Sequence, residues 1–152
     1  MYQHSNPVWF ESANYLVCAP LDDDPTEQEQ LWTCEVDTGI HVVCCIPFFL
    51  YDLSLGDTIQ VDSENVFVNL VEYGGRWTFR AFLQDKAGVE ETFLEKLANS
   101  DVLFERHGRR LFSIDAEDKS SAERVAAWLE AFEQRGIIDY EAGLNTVSMR
   151  PS

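Results

Sequence analysis

The first 75 residues of this 152-residue chain contain no lysine or arginine, although they hold 13 of its 27 acidic residues. The first basic residue is Arg76, and all 11 basic residues lie between it and the C-terminus. Nucleic acids and anionic membranes are bound largely by Lys and Arg side chains that neutralise phosphate charge. We therefore expect the protein to bind neither nucleic acid nor a membrane surface directly.

Long apolar stretches and targeting features are also missing. The longest apolar run, residues 40–50, contains His41 and is far shorter than the roughly 20 residues of a membrane-spanning helix. Residues 1–7 have neither the basic start nor the apolar centre of a signal peptide. Because 45% of the residues are hydrophobic, the composition is that of a folded domain rather than a disordered or collagen-like chain. We expect a cytoplasmic globular protein.

Four cysteines, at positions 18, 34, 44 and 45, lack the spacing of a metal site. Structural zinc sites usually contain cysteine pairs separated by about two to four residues, and stable disulfides are rare in the cytosol. We therefore expect free cysteines packed as small apolar residues, with no metal and no cofactor. Cys34 and Cys44 lie symmetrically about Gly39. A three-residue turn would place them opposite each other in a hairpin, and a two-residue turn would not.

The three histidines form no recognisable catalytic pattern. His4 lies in a segment that we expect to be loose, and His107 falls in a turn beside arginines at positions 106, 109 and 110. His41 could pair with Asp37 across the first hairpin, which we interpret as a surface pair rather than a catalytic dyad. The chain also lacks a nucleophile elbow, a phosphate-binding loop and a dinucleotide fingerprint. We expect no catalytic residue and a non-enzymatic protein.

Short β-rich runs separated by turn residues occupy the first half of the chain. They cover residues 8–10, 15–19, 31–37, 41–46, 58–61 and 66–71. A polar loop at residues 21–30 and turns at Thr38-Gly39 and Gly56-Asp57 separate them. Many short strands without helical periodicity predict a small antiparallel barrel or a curled sheet.

The pattern changes after Arg76. Residues 77–83 alternate as a strand, residues 89–97 repeat at helical spacing, and residues 102–114 read as a hairpin. Ser120 and Glu123 have the spacing of a capping box, which predicts the start of a second helix. Gly136 is placed to end that helix before a last strand at residues 137–140.

The resulting order, β-α-β-β-α-β, is the ferredoxin-like pattern. We therefore expect an α+β protein with two modules. An acidic β-rich module covers residues 1–75, and a ferredoxin-like module covers residues 76–152. Because the last strand of the first module leads within a few residues into the first strand of the second, we expect them to unfold as one cooperative unit.

Three short motifs resemble those of an uncharacterised bacterial family of unknown function. They are Pro47-Phe48 followed by Gly56-Asp57, the stretch Gly75-Arg76-Trp77-Thr78-Phe79-Arg80, and the pair Tyr140-Glu141. In order and spacing these are similar to a P-F…G-D stretch, a G-x-x-T-x-R strand and a terminal Y-E pair. The resemblance implies the same two-part architecture and no particular activity. Small acidic bacterial proteins of this kind also resemble immunity proteins of toxin–immunity systems, by class rather than by motif.

A half-chain of one charge sign suits a basic protein partner, through electrostatic steering and complementarity. The most concrete hypothesis is an immunity protein that covers the active surface of a cationic toxin such as a nuclease. The acidic residues that we expect to contact the partner are Asp22, Asp23, Asp24, Glu27, Glu29, Glu35, Asp37, Asp52, Asp57, Asp62, Glu64 and Glu72.

Other interpretations remain open at this stage. The acidic surface can serve solubility alone. The chain can also be a small regulatory or ligand-binding module that uses the ferredoxin-like sheet, or an enzyme of unrecognised type. Among Phe48, Phe49 and Tyr51, we expect at least one to be exposed or to bridge the two halves, where an aromatic side chain can anchor a partner.

Overall fold

The computed structural model describes residues 1–142, which form two antiparallel sheets and two α-helices. The N-terminal half contains β1 (Tyr15–Pro20), β2 (Gln28–Asp37), β3 (Ile40–Val43), β4 (Thr58–Val61) and β5 (Phe67–Glu72). The C-terminal half contains β6 (Trp77–Leu83), α1 (Val89–Ala98), β7 (Leu103–His107), β8 (Leu111–Ala116), α2 (Lys119–Gln134) and β9 (Ile138–Ala142). The last ten residues of the predicted second module lie outside the described residues.

The five strands of the N-terminal half form one sheet in the order β1-β2-β3-β4-β5. A single parallel bridge joins Cys18 of β1 to Val66, the residue before β5. The inward side chains of the sheet, among them Val17, Leu31 and Ile59, form a buried core. Of the two predicted forms, a small barrel or a curled sheet, the structure shows a sheet that does not close into a barrel. Two register shifts interrupt the β4–β5 ladder, and irregularities of this kind bend a strand locally.

The C-terminal sheet has the strand order β7-β8-β6-β9, and both helices pack against it. The sequence of elements is the β-α-β-β-α-β order that the sequence predicts. Phe79 of β6, Phe93 of α1 and Leu129 of α2 are buried in the same core. Because side chains alternate along a strand, every second residue of β6 points to the opposite face of the sheet.

Some local predictions are wrong. Residues 8–10 do not form a strand but lead into a 3₁₀ turn at Phe10–Ser12. β2 begins at Gln28, inside the predicted loop, and β3 ends at Val43. The N-cap of α2 is Asp118 rather than Ser120, because the Asp118 carboxylate accepts a hydrogen bond from the Ser121 N–H at 2.7 Å.

The segment between β3 and β4, residues 44–57, lies against the sheet face that the helices leave open. Thr78 of β6 donates to the Ser54 hydroxyl at 2.7 Å, and Ser113 of β8 donates to the Ile46 carbonyl at 3.0 Å. Both faces of the C-terminal sheet are therefore covered in part, one by helices and one by this joining segment. Polar residues on the second face are buried for that reason.

Candidate functional site

The joining segment has no regular secondary structure where it crosses between the sheets, and two buried carboxylates bind its backbone. Glu29 of β2 accepts hydrogen bonds from the N–H groups of Phe48 and Phe49, both at 2.8 Å. Glu105 of β7 accepts one from the Ile46 N–H at 2.6 Å. Backbone donors that no strand partner satisfies are thus satisfied by side chains of both sheets.

Arg80 satisfies the acceptors of the same segment. Its Nη2 donates to the Leu50 carbonyl at 2.6 Å and to the Pro47 carbonyl at 3.3 Å, and its Nε donates to the Phe48 carbonyl. The side chain is 2% exposed, and burial lowers its pKa although Glu29 and other acidic neighbours oppose this. Arg80 lies in the G-x-x-T-x-R motif and Pro47-Phe48 in the P-F motif, so these two stretches meet in the folded protein.

His4 lies between the two carboxylates and is fully buried, so the expected loose N-terminal segment is wrong at this point. Its Nε2 is 2.6 Å from Oε2 of Glu29 and its Nδ1 is 2.7 Å from Oε1 of Glu105. Burial alone lowers the pKa of His4, but contacts with Cys45, Glu105 and Glu29 raise it to about 12. Both ring nitrogens lie within hydrogen-bond distance of carboxylate oxygens, which accept hydrogen bonds, so the ring donates on both sides as an imidazolium.

Cys45 contacts this ring but is not placed for catalysis. Its thiol is 0% exposed, and burial raises its pKa despite the opposing influence of His4. The side chains of His4 and Glu29 are also 0% exposed, so a substrate cannot reach them. We call His4, Glu29, Glu105 and Cys45 the buried charge cluster, and its geometry is that of a structural joint.

The structure also settles the cysteine register. Cys34 lies opposite Val42, not opposite Cys44, and a bulge interrupts the β2–β3 ladder between Glu35 and Asp37. All four cysteines are free thiols.

Two of the twelve predicted partner contacts, Glu29 and Asp57, are buried in the folded protein. Glu29 belongs to the buried charge cluster. Asp57 is 0% exposed and accepts hydrogen bonds from the N–H groups of Ser54 and Gly74, both at 2.8 Å. A Cβ atom on Gly74 would overlap the carbonyl oxygen of Gly56, so this close approach requires glycine.

The other ten predicted contacts reach solvent in different degrees. Glu27 and Asp52 are half-buried. The exposed ones are Asp22, Asp23, Asp24, Glu35, Asp37, Asp62, Glu64 and Glu72. The β2–β3 turn and the β4–β5 turn are neighbours, because the Val61 N–H donates to the Gly39 carbonyl at 2.8 Å. Acids near both turns therefore share one corner of the curled sheet.

A groove of about 280 Å³ opens beside the joining segment, and of its lining residues only Tyr51 is expected from the sequence as a possible partner anchor. Its lining is Tyr51, Arg80, Phe82, Asp139, Tyr140 and Glu141. We call it the aromatic–acidic groove. In the β6–β9 ladder Arg80 is opposite Glu141 and Phe82 is opposite Asp139.

Tyr51 closes one side of this groove. Its hydroxyl donates to Oε1 of Glu141 at 3.0 Å, and the Arg80 guanidinium lies 5.0 Å from the centre of its ring. Burial, the hydrogen bond to Glu141 and the charges of Glu141 and Asp23 raise its pKa, while Arg80 lowers it. Tyr51 is 39% exposed and joins the two halves, as expected for one of the three aromatic residues.

The remaining candidates serve local structure. His41 bonds to the Thr33 hydroxyl at 2.7 Å and lies 3.7 Å from a carboxylate oxygen of Glu35, so the expected pair with Asp37 is not formed. Burial lowers its pKa, and the charge of Glu35 opposes that shift. In the basic turn, Arg106 pairs with Glu90 at 3.2 Å.

Within residues 1–142, no group of three or more His, Cys, Asp or Glu side chains is arranged to hold a metal ion. Neither helix in this part of the chain is long and apolar enough to cross a membrane.

Comparison with known proteins identifies a family and a fold. A family model described as a domain of unknown function, DUF4265, matches residues 29–140. No curated protein matches the chain. The chain resembles the crystal structure of a hypothetical protein from Neisseria gonorrhoeae, with a TM-score of 0.69 and 18% sequence identity. That match covers 85% of this chain and 92% of the other, and at this identity it concerns the fold alone.

Proposed function

The chain belongs to the DUF4265 family, and we propose that it is a non-enzymatic binding protein that captures a basic protein partner through the acidic surface of its N-terminal half. The observation that supports this best is that most of the predicted acidic contacts are exposed and have no basic residue of the same half to neutralise them. Eight of the predicted acidic contacts are exposed, and the first 75 residues contain no Lys or Arg to neutralise them. Surfaces of soluble domains usually intersperse both signs.

The described geometry adds an apolar element to this surface. The charge of Asp23 contributes to the raised pKa of Tyr51, and Tyr51 borders a groove with a second exposed aromatic residue, Phe82. Interfaces combine aromatic anchors with complementary charge, because the anchors supply affinity while the charges accelerate and orient association. An acidic surface with an aromatic groove is therefore better suited to a basic protein than to a small neutral ligand.

The most concrete form of the proposal is an immunity protein that covers the active surface of a cationic toxin, such as a nuclease. A nuclease groove must be basic in order to hold phosphates. An acidic protein that occupies the groove competes with nucleic acid for the same charges. The proposed location is the cytoplasm, where such an inhibitor would meet the toxin.

The gene next to that of this protein provides the sharpest test of the toxin form. We expect it to encode a secreted protein with a basic C-terminal domain. The purified domain should bind the chain in a one-to-one complex and lose its activity. A neighbouring gene of unrelated type, or a domain that stays active with the chain in excess, would contradict the immunity role.

Association kinetics test the acidic surface itself. Replacing Asp22, Asp23 and Asp24 with Asn should slow association with the basic domain by about threefold or more at low salt, because steering depends on net charge. Raising the salt concentration to about 0.15 M should reduce this effect, since the Debye length falls to about 8 Å. Stopped-flow fluorescence measures the association rates of wild type and variant at both salt concentrations.

A matched control removes the same number of charges from the helices. The variants are Glu91→Gln, Glu95→Gln and Glu123→Gln, all at exposed positions. Glu130 and Glu133 are unsuitable because both accept hydrogen bonds from Tyr140. Equal slowing by both triple variants, or a rate independent of salt, would argue against capture through the N-terminal half.

A further inference from the structure

The aromatic–acidic groove combines exposed rings and carboxylates in one opening. Phe82 is 45% exposed and Tyr51 is 39% exposed, so both rings present apolar area to solvent. Asp139 is the cross-strand neighbour of Phe82, and Glu141 accepts the hydrogen bond from Tyr51. Ring faces and carboxylates both attract positive charge, so the lining favours a cationic group.

The charge balance of the groove is negative. Asp139 and Glu141 line it, and the charge of Asp23 reaches Tyr51 at its edge. The cation in the lining is Arg80, which is buried and already donates to carbonyls of the joining segment. An anionic ligand would therefore be repelled by the exposed carboxylates.

Arg80 adds a requirement for a hydrogen-bond acceptor. Its Nη1 atom is buried and has no hydrogen-bond partner among residues 1–142, and a buried donor without a partner is costly. A metal ion or a polyamine brings no acceptor. A peptide brings a carbonyl oxygen beside every side chain, so it can satisfy the donor and the carboxylates together.

We propose that the groove binds a lysine- or arginine-bearing loop of the basic partner. The side-chain cation lies between Asp139 and Glu141, its aliphatic stem packs on Phe82, and a main-chain carbonyl accepts from Arg80. This inference rests on the proposed function, since it names where a basic side chain of the partner binds. The proposal gives a binding role to Phe82, Asp139 and Glu141 in the second half of the chain. The acidic surface proposed above consists of residues of the first half alone.

The first experiment measures binding in the full-length chain by NMR. A blocked Gly-Arg-Gly peptide is titrated into the ¹⁵N-labelled protein, and the same peptide with citrulline replacing arginine is the uncharged control. The amide signals of Phe82, Asp139 and Glu141 should shift with the arginine peptide. The citrulline peptide should bind at least about fivefold more weakly. Equal binding of both peptides would overturn the proposal.

Two variants test the assignment of residues. Glu141→Gln removes the charge but keeps an acceptor for Tyr51, and Phe82→Ala removes the exposed ring. Each variant should lower the affinity for the arginine peptide by about threefold to fivefold. Glu91→Gln on α1 should leave that affinity unchanged. Thermal unfolding of each variant establishes that it is folded. Unchanged binding in folded Glu141→Gln and Phe82→Ala would overturn the proposal.

Other occupants give different results. Arg150 is the sole Lys or Arg in residues 143–152. If Arg150→Gln shifts the groove signals without any peptide, the chain's own C-terminal residues fill the groove and the proposal is wrong. If the basic domain associates in a salt-dependent way but ignores Glu141→Gln and Phe82→Ala, the groove assignment fails while the proposed function stands. If the arginine peptide binds in the groove but no basic domain is captured, the proposed function fails and with it the partner named here.

Discussion

Nδ1 of His4 lies 2.7 Å from Oε1 of Glu105, although the two residues are 101 positions apart in the chain. Nε2 of the same ring lies 2.6 Å from Oε2 of Glu29 in the other sheet. One imidazolium therefore joins the N-terminal segment to both sheets. Since the ring and both carboxylates are buried, removal of one partner leaves charge without compensation.

Replacing His4 with Gln should lower the free energy of unfolding by about 3–5 kcal/mol, because it leaves Glu29 and Glu105 facing each other without the cation between them. Urea denaturation near pH 7 measures the change. Gln3→Ala, at the exposed neighbouring position, is the control and should stay within about 0.5 kcal/mol of wild type. A loss for His4→Gln as small as that of the control would refute the structural role of the cluster.

The stability that His4 supplies should decrease as pH rises. Its pKa is raised from 6.5 to about 12 in the folded protein, so above pH 6.5 the folded state keeps a proton that the unfolded state releases. The contribution is complete below pH 6.5 and declines toward pH 12, by at most about 1.4 kcal/mol per pH unit.

Urea denaturation of wild type and His4→Gln at about pH 6.5, 7.5 and 8.5 measures this decline as a shrinking difference in unfolding free energy. Burial lowers the pKa of His41. Its titration therefore affects stability only at pH values below about 6.5, outside the range of this experiment. A difference that stays constant between pH 7.5 and 8.5 would show that His4 is neutral in the folded state, because neither state would then release a proton in that range.

Cys44 and Cys45 should resist alkylation in the folded protein. Both are buried, and burial together with neighbouring cysteines raises the pKa of Cys44 to about 11. Since the thiolate is the reactive form, the half-buried Cys18 and Cys34 should react at least about tenfold faster. Timed iodoacetamide labelling followed by mass spectrometry measures the four rates. In urea the four rates should converge, and fast native labelling of Cys45 would mean that the cluster opens.

The two halves should unfold in one thermal transition. Arg80 of the second half donates to carbonyls of the joining segment, and Glu105 accepts from the Ile46 N–H, so loss of one sheet exposes buried charges of the other. Calorimetry should give a single peak in the wild type. Arg80→Met should lower its midpoint, whereas Arg124→Met, at an exposed position of α2, should not. Two resolved peaks in the wild type would contradict a shared core.

Local sequence patterns were sufficient for most of the secondary structure. Alternation placed β6 at residues 77–83, helical spacing predicted α1, and Gly136 follows α2 as expected with a φ of +73°. These features depend on residues only a few positions apart, so the spacing of apolar residues in the sequence is enough to predict them. The predictions failed where a competing local interaction decides, as with the Asp118 cap of α2.

The sequence by itself also determined that the first half is acidic and uncompensated, because charge needs only counting. Which of these acids are exposed and which are buried was decided by the tertiary structure. Glu29, Leu31 and Thr33 are alternate residues of β2, and all three are buried on the same face of the strand. Its partners, His4 and Glu105, come from a segment and a strand that only the packing of two sheets brings together. Long-range burial, not local pattern, made Glu29 part of a joint instead of a binding surface.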